Sequence, residues 1–174
     1  MDQVVESEIN ALPPHYLTGG RKQPARITVG ISLSDQMAYS LEHSCRKYNI
    51  SEVRFIGALL MAIMSTFVQS NYVSVAIAEE ENVWNPIVPK MTDFEQIVRG
   101  MEESGERSGN QSLDISVAVS DKSAKQLLSS FDAVFIFERE NRAINLSYDH
   151  AYLNGEEMER VLNLVKDILE SIDD

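Results

Sequence analysis

Residues 144–170 read INLSYDHAYLNGEEMERVLNLVKDILE, and two periodicities meet within them. Ile144, Leu146 and Tyr148 alternate with polar neighbours, which is the period of a half-buried strand. From Met158 onward Val161, Leu162, Val165, Ile168, Leu169 and Ile172 recur at three- and four-residue spacing, which is the stripe of an amphipathic helix. Asp149, His150, Asn154 and Gly155 lie in the turn between them, and Asn154 with Glu157 makes a capping-box pattern at the helix entry. A strand feeding a helix through a turn rich in polar side chains is the local unit of a layered α and β fold.

Upstream, residues 1–25 carry charges, Pro13-Pro14, Gly19-Gly20 and Pro24, and read as an extended arm with a short helix around Val4 to Leu12. Residues 26–174 read as a single domain. RITVGIS (26–32) is a strand with Ile27, Val29 and Ile31 inward. Ser34 caps a helix whose stripe is Met37, Ala38, Leu41, Cys45 and Tyr48, and Ser51 opens a second helix. In that helix Phe55, Ile56, Leu59, Leu60, Ile63, Met64 and Phe67 cover nearly the whole circumference, so it should be central and buried.

Tyr72 to Ala78 alternates as one strand, and Thr92 with Glu95 predicts the start of a third helix. A loop follows over 104–112. Leu113 to Val119 then alternates as a strand, a short helix holds Leu127 and Leu128, and DAVFIFE (132–138) is the unbroken apolar run of a central strand. The predicted order is arm, β, α, α, β, α, β, α, β, β, α, a mixed sheet flanked by helices in the α/β or α+β class.

Composition narrows the function. The 174 residues hold 15 Lys plus Arg against 27 Asp plus Glu, a formal charge of −12, so a nucleic-acid backbone or an anionic membrane is not the expected partner. A single cysteine forms no internal disulfide and three scattered histidines build no zinc cluster, so no metal is expected. The longest uncharged run, Phe55 to Val68, falls short of the ~20 residues of a spanning helix, and the first residues resemble no signal peptide. A cytoplasmic or organellar-matrix location is the expectation. Cys45 reads as a small buried hydrophobe, His43 and His15 lack ligand-spaced partners, and Trp84 beside Asn85-Pro86 reads as loop cover.

The stretch SYDHAYLNG is similar to the C-terminal signature of the chloramphenicol acetyltransferase-like superfamily, most closely the catalytic domain of the dihydrolipoyl acyltransferases of 2-oxoacid dehydrogenase complexes. ITVGISLS, FIGALLMAIM, YVSVAIA and NPIVPKMTDFEQIV follow in the same order as that family's elements, over residues 26–174. The resemblance implies a two-layer chloramphenicol acetyltransferase-like sandwich. It also implies that His150 is a general base that deprotonates a thiol or hydroxyl acceptor for attack on a thioester carbonyl. A serine on LDISVAVSD, Ser116 or Ser120, would donate to the oxyanion.

By the same resemblance the chain would hold no tightly bound cofactor. Acyl-CoA, or a lipoyl or phosphopantetheine thioester, would be the cosubstrate, and the protein would be a homotrimer or part of a larger acyltransferase assembly. Two positions depart from the family: Ala151 stands for its arginine and Asn154 for its aspartate, so ionic bracing of the turn is lost. The chain is also shorter than a full catalytic domain, with the compression falling between Ser104 and Phe131. The alternatives are a catalytically degenerate homologue that scaffolds an acyltransferase or 2-oxoacid dehydrogenase assembly, and a truncated relative of the condensation domains of peptide synthetases. Condensation domains carry a His-His motif between two such folds, and the C-terminal position of His150 weighs against the last.

Overall fold

The computed structural model describes residues 10–20, 26–79, 82–104, 116–121 and 130–171. β1 (Arg26–Ser32) leads into α1 (Asp35–Tyr48) and α2 (Glu52–Ser65), followed by β2 (Tyr72–Ser74), β3 (Ala76–Glu79), β4 (Asn82–Trp84) and β5 (Ile87–Pro89). α3 (Phe94–Ser104), β6 (Val117–Ser120), β7 (Ala133–Glu138), β8 (Ala143–Asp149) and α4 (Gly155–Ser171) complete the described chain. Six strands form a mixed sheet in the order β1-β8-β7-β6-β3-β4, while β2 and β5 pair separately. β3, β6 and β7 run parallel, and β8 turns back antiparallel between β7 and β1. This is the predicted mixed sheet flanked by helices.

Each helix begins where its cap permits. Ser34 Oγ accepts from Met37 N and Ser51 Oγ from Arg54 N, both at 3.2 Å, satisfying amides that a first turn leaves open. α3 departs from expectation by one residue: Asp93 Oδ1, rather than the Thr92 hydroxyl, accepts from Gln96 N at 3.2 Å. α2 is the buried central helix that its all-round hydrophobicity predicts, with Phe55, Ile56, Ala58 and Met61 fully covered. It lies against the sheet at Gly57, where an added Cβ would run into Ile77 Cδ1 and stand 3.3 Å from Val119 Cγ1.

One predicted strand is two. The segment from Tyr72 to Ala78 breaks at Val75 because the side-chain amide of Asn10 takes both backbone groups of Ser74. Asn10 Nδ2 donates to Ser74 O at 2.7 Å, and Oδ1 accepts from Ser74 N at 3.0 Å. β2 therefore pairs with β5 and β3 joins the large sheet. The hairpin strand β4 and strand β5 were not anticipated.

Ile27, expected inward, is 43% exposed because β1 is an outer strand. Asn10 to Leu12, the end of the expected arm helix, is not helical, and the rest of that helix lies outside the described residues. The same holds for residues 113–115 of the third predicted strand, for the Leu127 and Leu128 helix, and for most of the 104–112 loop. No helix among the described residues is long and apolar enough to cross a membrane.

Residues 10–20 dock on the domain. Tyr16 stacks on Phe67 with ring centroids 4.5 Å apart, and Leu17 bridges to Leu153. The tight seat of α2 yields a first prediction: Gly57→Val adds a β-branched side chain where Ile77 and Val119 already touch the helix. It should lower unfolding free energy by about 1–3 kcal/mol in urea titration.

Candidate functional site

The end of the sheet where β8 stops is built around two buried carboxylates. Asp132 precedes β7 and is 8% exposed; Asp149 ends β8 and is 4% exposed. Asp132 Oδ2 accepts from Ser116 N at 2.9 Å and from Ser116 Oγ at 3.1 Å, and the Asp132 amide donates back to Ser116 Oγ at 3.0 Å. Asp149 N donates to Asp132 O at 3.0 Å, which carries the ladder from β7 to β8. On the outer strand, Arg26 spans the same end: Nε donates to Ser147 Oγ at 3.1 Å, Nη2 to Ser147 O at 2.8 Å and Nη1 to Phe131 O at 2.7 Å. Burial lowers the Arg26 pKa, while the fields of Asp149 and Asp132 act to raise it.

From this platform the turn emerges. Asp149 Oδ1 accepts from Ala151 N at 3.1 Å, and Asp149 O accepts from Leu153 N at 2.9 Å. His150 at its tip is exposed, and its imidazole makes no hydrogen bond, ion pair or ring contact among the described residues. The arm clasps the other side of the turn. Thr18 N donates to Tyr152 O at 3.0 Å, and Thr18 Oγ1 to Ala151 O at 2.6 Å.

Asn154 caps α4 through Oδ1, which accepts from Glu156 N at 3.0 Å, but its own amide donates to Tyr16 O at 2.8 Å and its Nδ2 to His15 O at 3.1 Å. The Glu157 half of the expected capping box is therefore not closed. Glu157 is buried beside Tyr16, with Arg160 Nη1 3.5 Å from its Oε2. Burial first, and the Glu157 carboxylate second, push the Tyr16 phenol above its ordinary range, with Arg160 opposing. A Cβ at Gly155 would meet Tyr148 Oη at 2.9 Å, so a side chain there would require the Tyr148 hydroxyl to shift.

Asp149, His150, Asn154, Gly155 and Ser116 thus share one end of the sheet. Ser116 immediately precedes β6, two strands from β8 and so about 10 Å across, and its hydroxyl proton is committed to Asp132. Ser120 is buried at the far end of β6, about 13 Å along the strand. Asp132 and Arg26 organise this end; sequence reasoning offered Arg26 only as one possible brace for the turn, beside Arg142, and gave Asp132 no role. The available signal was a lone carboxylate at the entry of the apolar run AVFIF.

At the opposite end of the sheet, where β3, β6 and β7 finish, a recess of about 470 Å³ is lined by Glu52, Glu79, Asp121, Glu138 and Arg139. Arg54 pairs with Glu79 at 2.6 Å, and Arg139 pairs with Glu52. No group of three or more potential metal ligands occurs among the described residues.

No protein-family model and no curated protein matches the chain. Solved structures do share its fold. The X-domain from teicoplanin biosynthesis superposes with a TM-score of 0.62 at 12% identity, covering 98% of this chain and 52% of that one. The first condensation domain of the CDA synthetase gives 0.63 at 10% identity, with 92% and 48% covered. The epimerization domain from the third module of tyrocidine synthetase B gives 0.59 at 14%, with 93% and 51% covered.

The fold is that of condensation-type domains, which is chloramphenicol acetyltransferase-like, and the chain spans about half the length of these structures. They lend no support to a particular closeness to dihydrolipoyl acyltransferases.

Two outcomes follow from this geometry. Asn154→Ala removes a cap and should cost about 1 kcal/mol; Asn154→Asp keeps the cap but loses the Nδ2 donor to His15 O, so chemical denaturation should show it below wild type, by about 0.5–1 kcal/mol. Cys45 provides the second. Burial pushes its thiol up to about 12, with Glu52 and Glu42 adding and Arg139 opposing. The folded thiol is therefore protonated at pH 8, and a thiol-reactive dye should label it only on unfolding. Because the unfolded thiol ionises at lower pH, its contribution to stability is complete below about pH 9 and is lost as pH rises toward 12.

Proposed function

We propose that this chain is one lobe of a condensation-type acyl-transfer assembly, and that its Asp149–Gly155 turn contributes to a site completed by a second lobe. The observation that carries this reading is the length relation. Nearly all of this chain superposes on about half of an X-domain or condensation domain, so its fold corresponds to a portion of each.

The local geometry agrees. His150 has the chemistry of a general base, yet no neighbour among the described residues orients its ring, and the Ser116 hydroxyl already serves Asp132. In a completed site His150 would take the proton from a thiol, hydroxyl or amine as that atom attacks the carbonyl carbon of a CoA, lipoyl or phosphopantetheine thioester. The tetrahedral oxyanion, held by donors from the second lobe, would then collapse and release the thiolate.

The X-domain of teicoplanin biosynthesis occurs in a complex with OxyB, which gives a precedent for this fold assembling with a different protein. Nothing supports the homotrimer that the acyltransferase resemblance implied. A second reading, a self-contained acyltransferase, draws on the ordered turn and its buried Asp149 support.

One assay separates the two. The purified chain is mixed with short-chain acyl-pantetheine thioesters and thiol or amine acceptors, and the released pantetheine is separated and quantified. A lone lobe should turn over at the uncatalysed rate, with wild type and His150→Ala alike. Turnover by the chain alone that falls about 10²–10⁴-fold in His150→Ala, at unchanged melting temperature, would instead establish the self-contained enzyme.

A further inference from the structure

We propose that β1 is a self-pairing edge, and that two copies of this chain join antiparallel along Arg26–Ser32 about a two-fold axis at Val29. β1 is the last strand of the six-stranded order, pairs only with β8 among the described residues, and leaves Ile27, Thr28, Gly30 and Ser32 exposed.

The phase of its hydrogen bonds is fixed by its neighbours. Leu33 N donates to Arg142 O at 2.7 Å, one step beyond the Ser32 and Ala143 pair. Bonded pairs in an antiparallel ladder fall on alternate residues, so the backbone groups of Ile27, Val29 and Ile31 face β8. Those of Thr28, Gly30 and Ser32 face outward. The bond from Asp149 N to Asp132 O, on the other side of β8, fits the same phase.

The strand is complementary to itself. With Val29 on the two-fold axis, Ile27 stands opposite Ile31 of the second copy and Thr28 opposite its Gly30. The outward amides and carbonyls of Thr28 and Gly30 then bond across the axis, and those of Ser32 bond to Arg26 of the second copy. The apolar residues occupy the non-bonded pairs, where antiparallel strands bring side chains closest. This covers Ile27, one of four large hydrophobic side chains recorded as exposed among the described residues. A different protein would have no reason to match this internal symmetry, which is why the second copy is the occupant proposed.

Among the described residues nothing on the edge opposes pairing. Exposed edges are normally blunted by lysine, proline, a bulge or shortness, yet β1 runs seven residues in unbroken register without lysine or proline. Its only charge, Arg26, is turned toward Ser147 and Phe131. The other edge, β4, has only three residues. The unblunted edge and the protected one belong to the same sheet.

Sedimentation velocity over about 5–200 µM at physiological salt, where the −12 charge is largely screened, tests the pairing. Wild type should shift from monomer to dimer as concentration rises. Thr28→Pro deletes an outward amide while leaving the β8 ladder untouched, and Ile27→Lys puts a charge into the apolar row. Both should remain monomeric throughout, with wild-type circular dichroism showing that they fold. Wild type that stays monomeric, that forms a trimer, or whose dimer survives in both folded variants would overturn the proposal.

Discussion

The Asp132 carboxylate is the constraint on which the functional end of this protein depends. Buried at the mouth of β7, it must find hydrogen-bond donors, and it takes both the amide and the hydroxyl of Ser116 at the mouth of β6. That fixes the parallel registration of the two strands. Through its own carbonyl Asp132 receives the amide of Asp149, and so locks the last residue of β8 to the same level. Arg26, on the outer strand, feels the field of both aspartates and binds the Ser147 and Phe131 carbonyls. The turn carrying His150 begins one residue beyond this set, so its position is inherited from four strand ends rather than from the turn alone.

This explains why the elements were easier to read than the site. α2 is apolar on every side and α4 carries one unbroken stripe, so local periodicity suffices for both. AVFIF is buried on two faces, with Phe135 and Phe137 in the main core and Val134 and Ile136 in a smaller cluster behind the sheet. An unbroken apolar run is what such a strand requires.

The misreadings share one cause. The break at Val75 is imposed by Asn10, which stands 64 positions away from Ser74, and the exposure of Ile27 follows from the place of β1 in the sheet order. Neither leaves a trace in a window of neighbouring residues. The capping box at Asn154 failed for the same reason, since the amide that Glu157 should have received is bonded to Tyr16 from the arm.

The resemblance to acyltransferases reached the fold correctly and the family branch less so. SYDHAYLNG does form a strand end, a turn and a helix entry, as it does in the family that it resembles. What the resemblance could not supply is the partner of the histidine. The aspartate that family places at position 154 is here an asparagine whose four hydrogen bonds among the described residues all serve to dock the arm and begin α4. The buried carboxylates of this end are Asp149 and Asp132, at the base of the turn rather than within it.

The claim that this buried set holds the turn is tested most directly by a double-mutant cycle on Arg26 and Asp132, read with residue-resolved amide exchange. Arg26→Gln and Asp132→Asn should be strongly non-additive, with a coupling of about 1–3 kcal/mol. Either single change should also raise exchange at Ala151 and Leu153, whose amides bond to Asp149. Additive effects within about 0.5 kcal/mol, with protection of those two amides unchanged, would contradict the account.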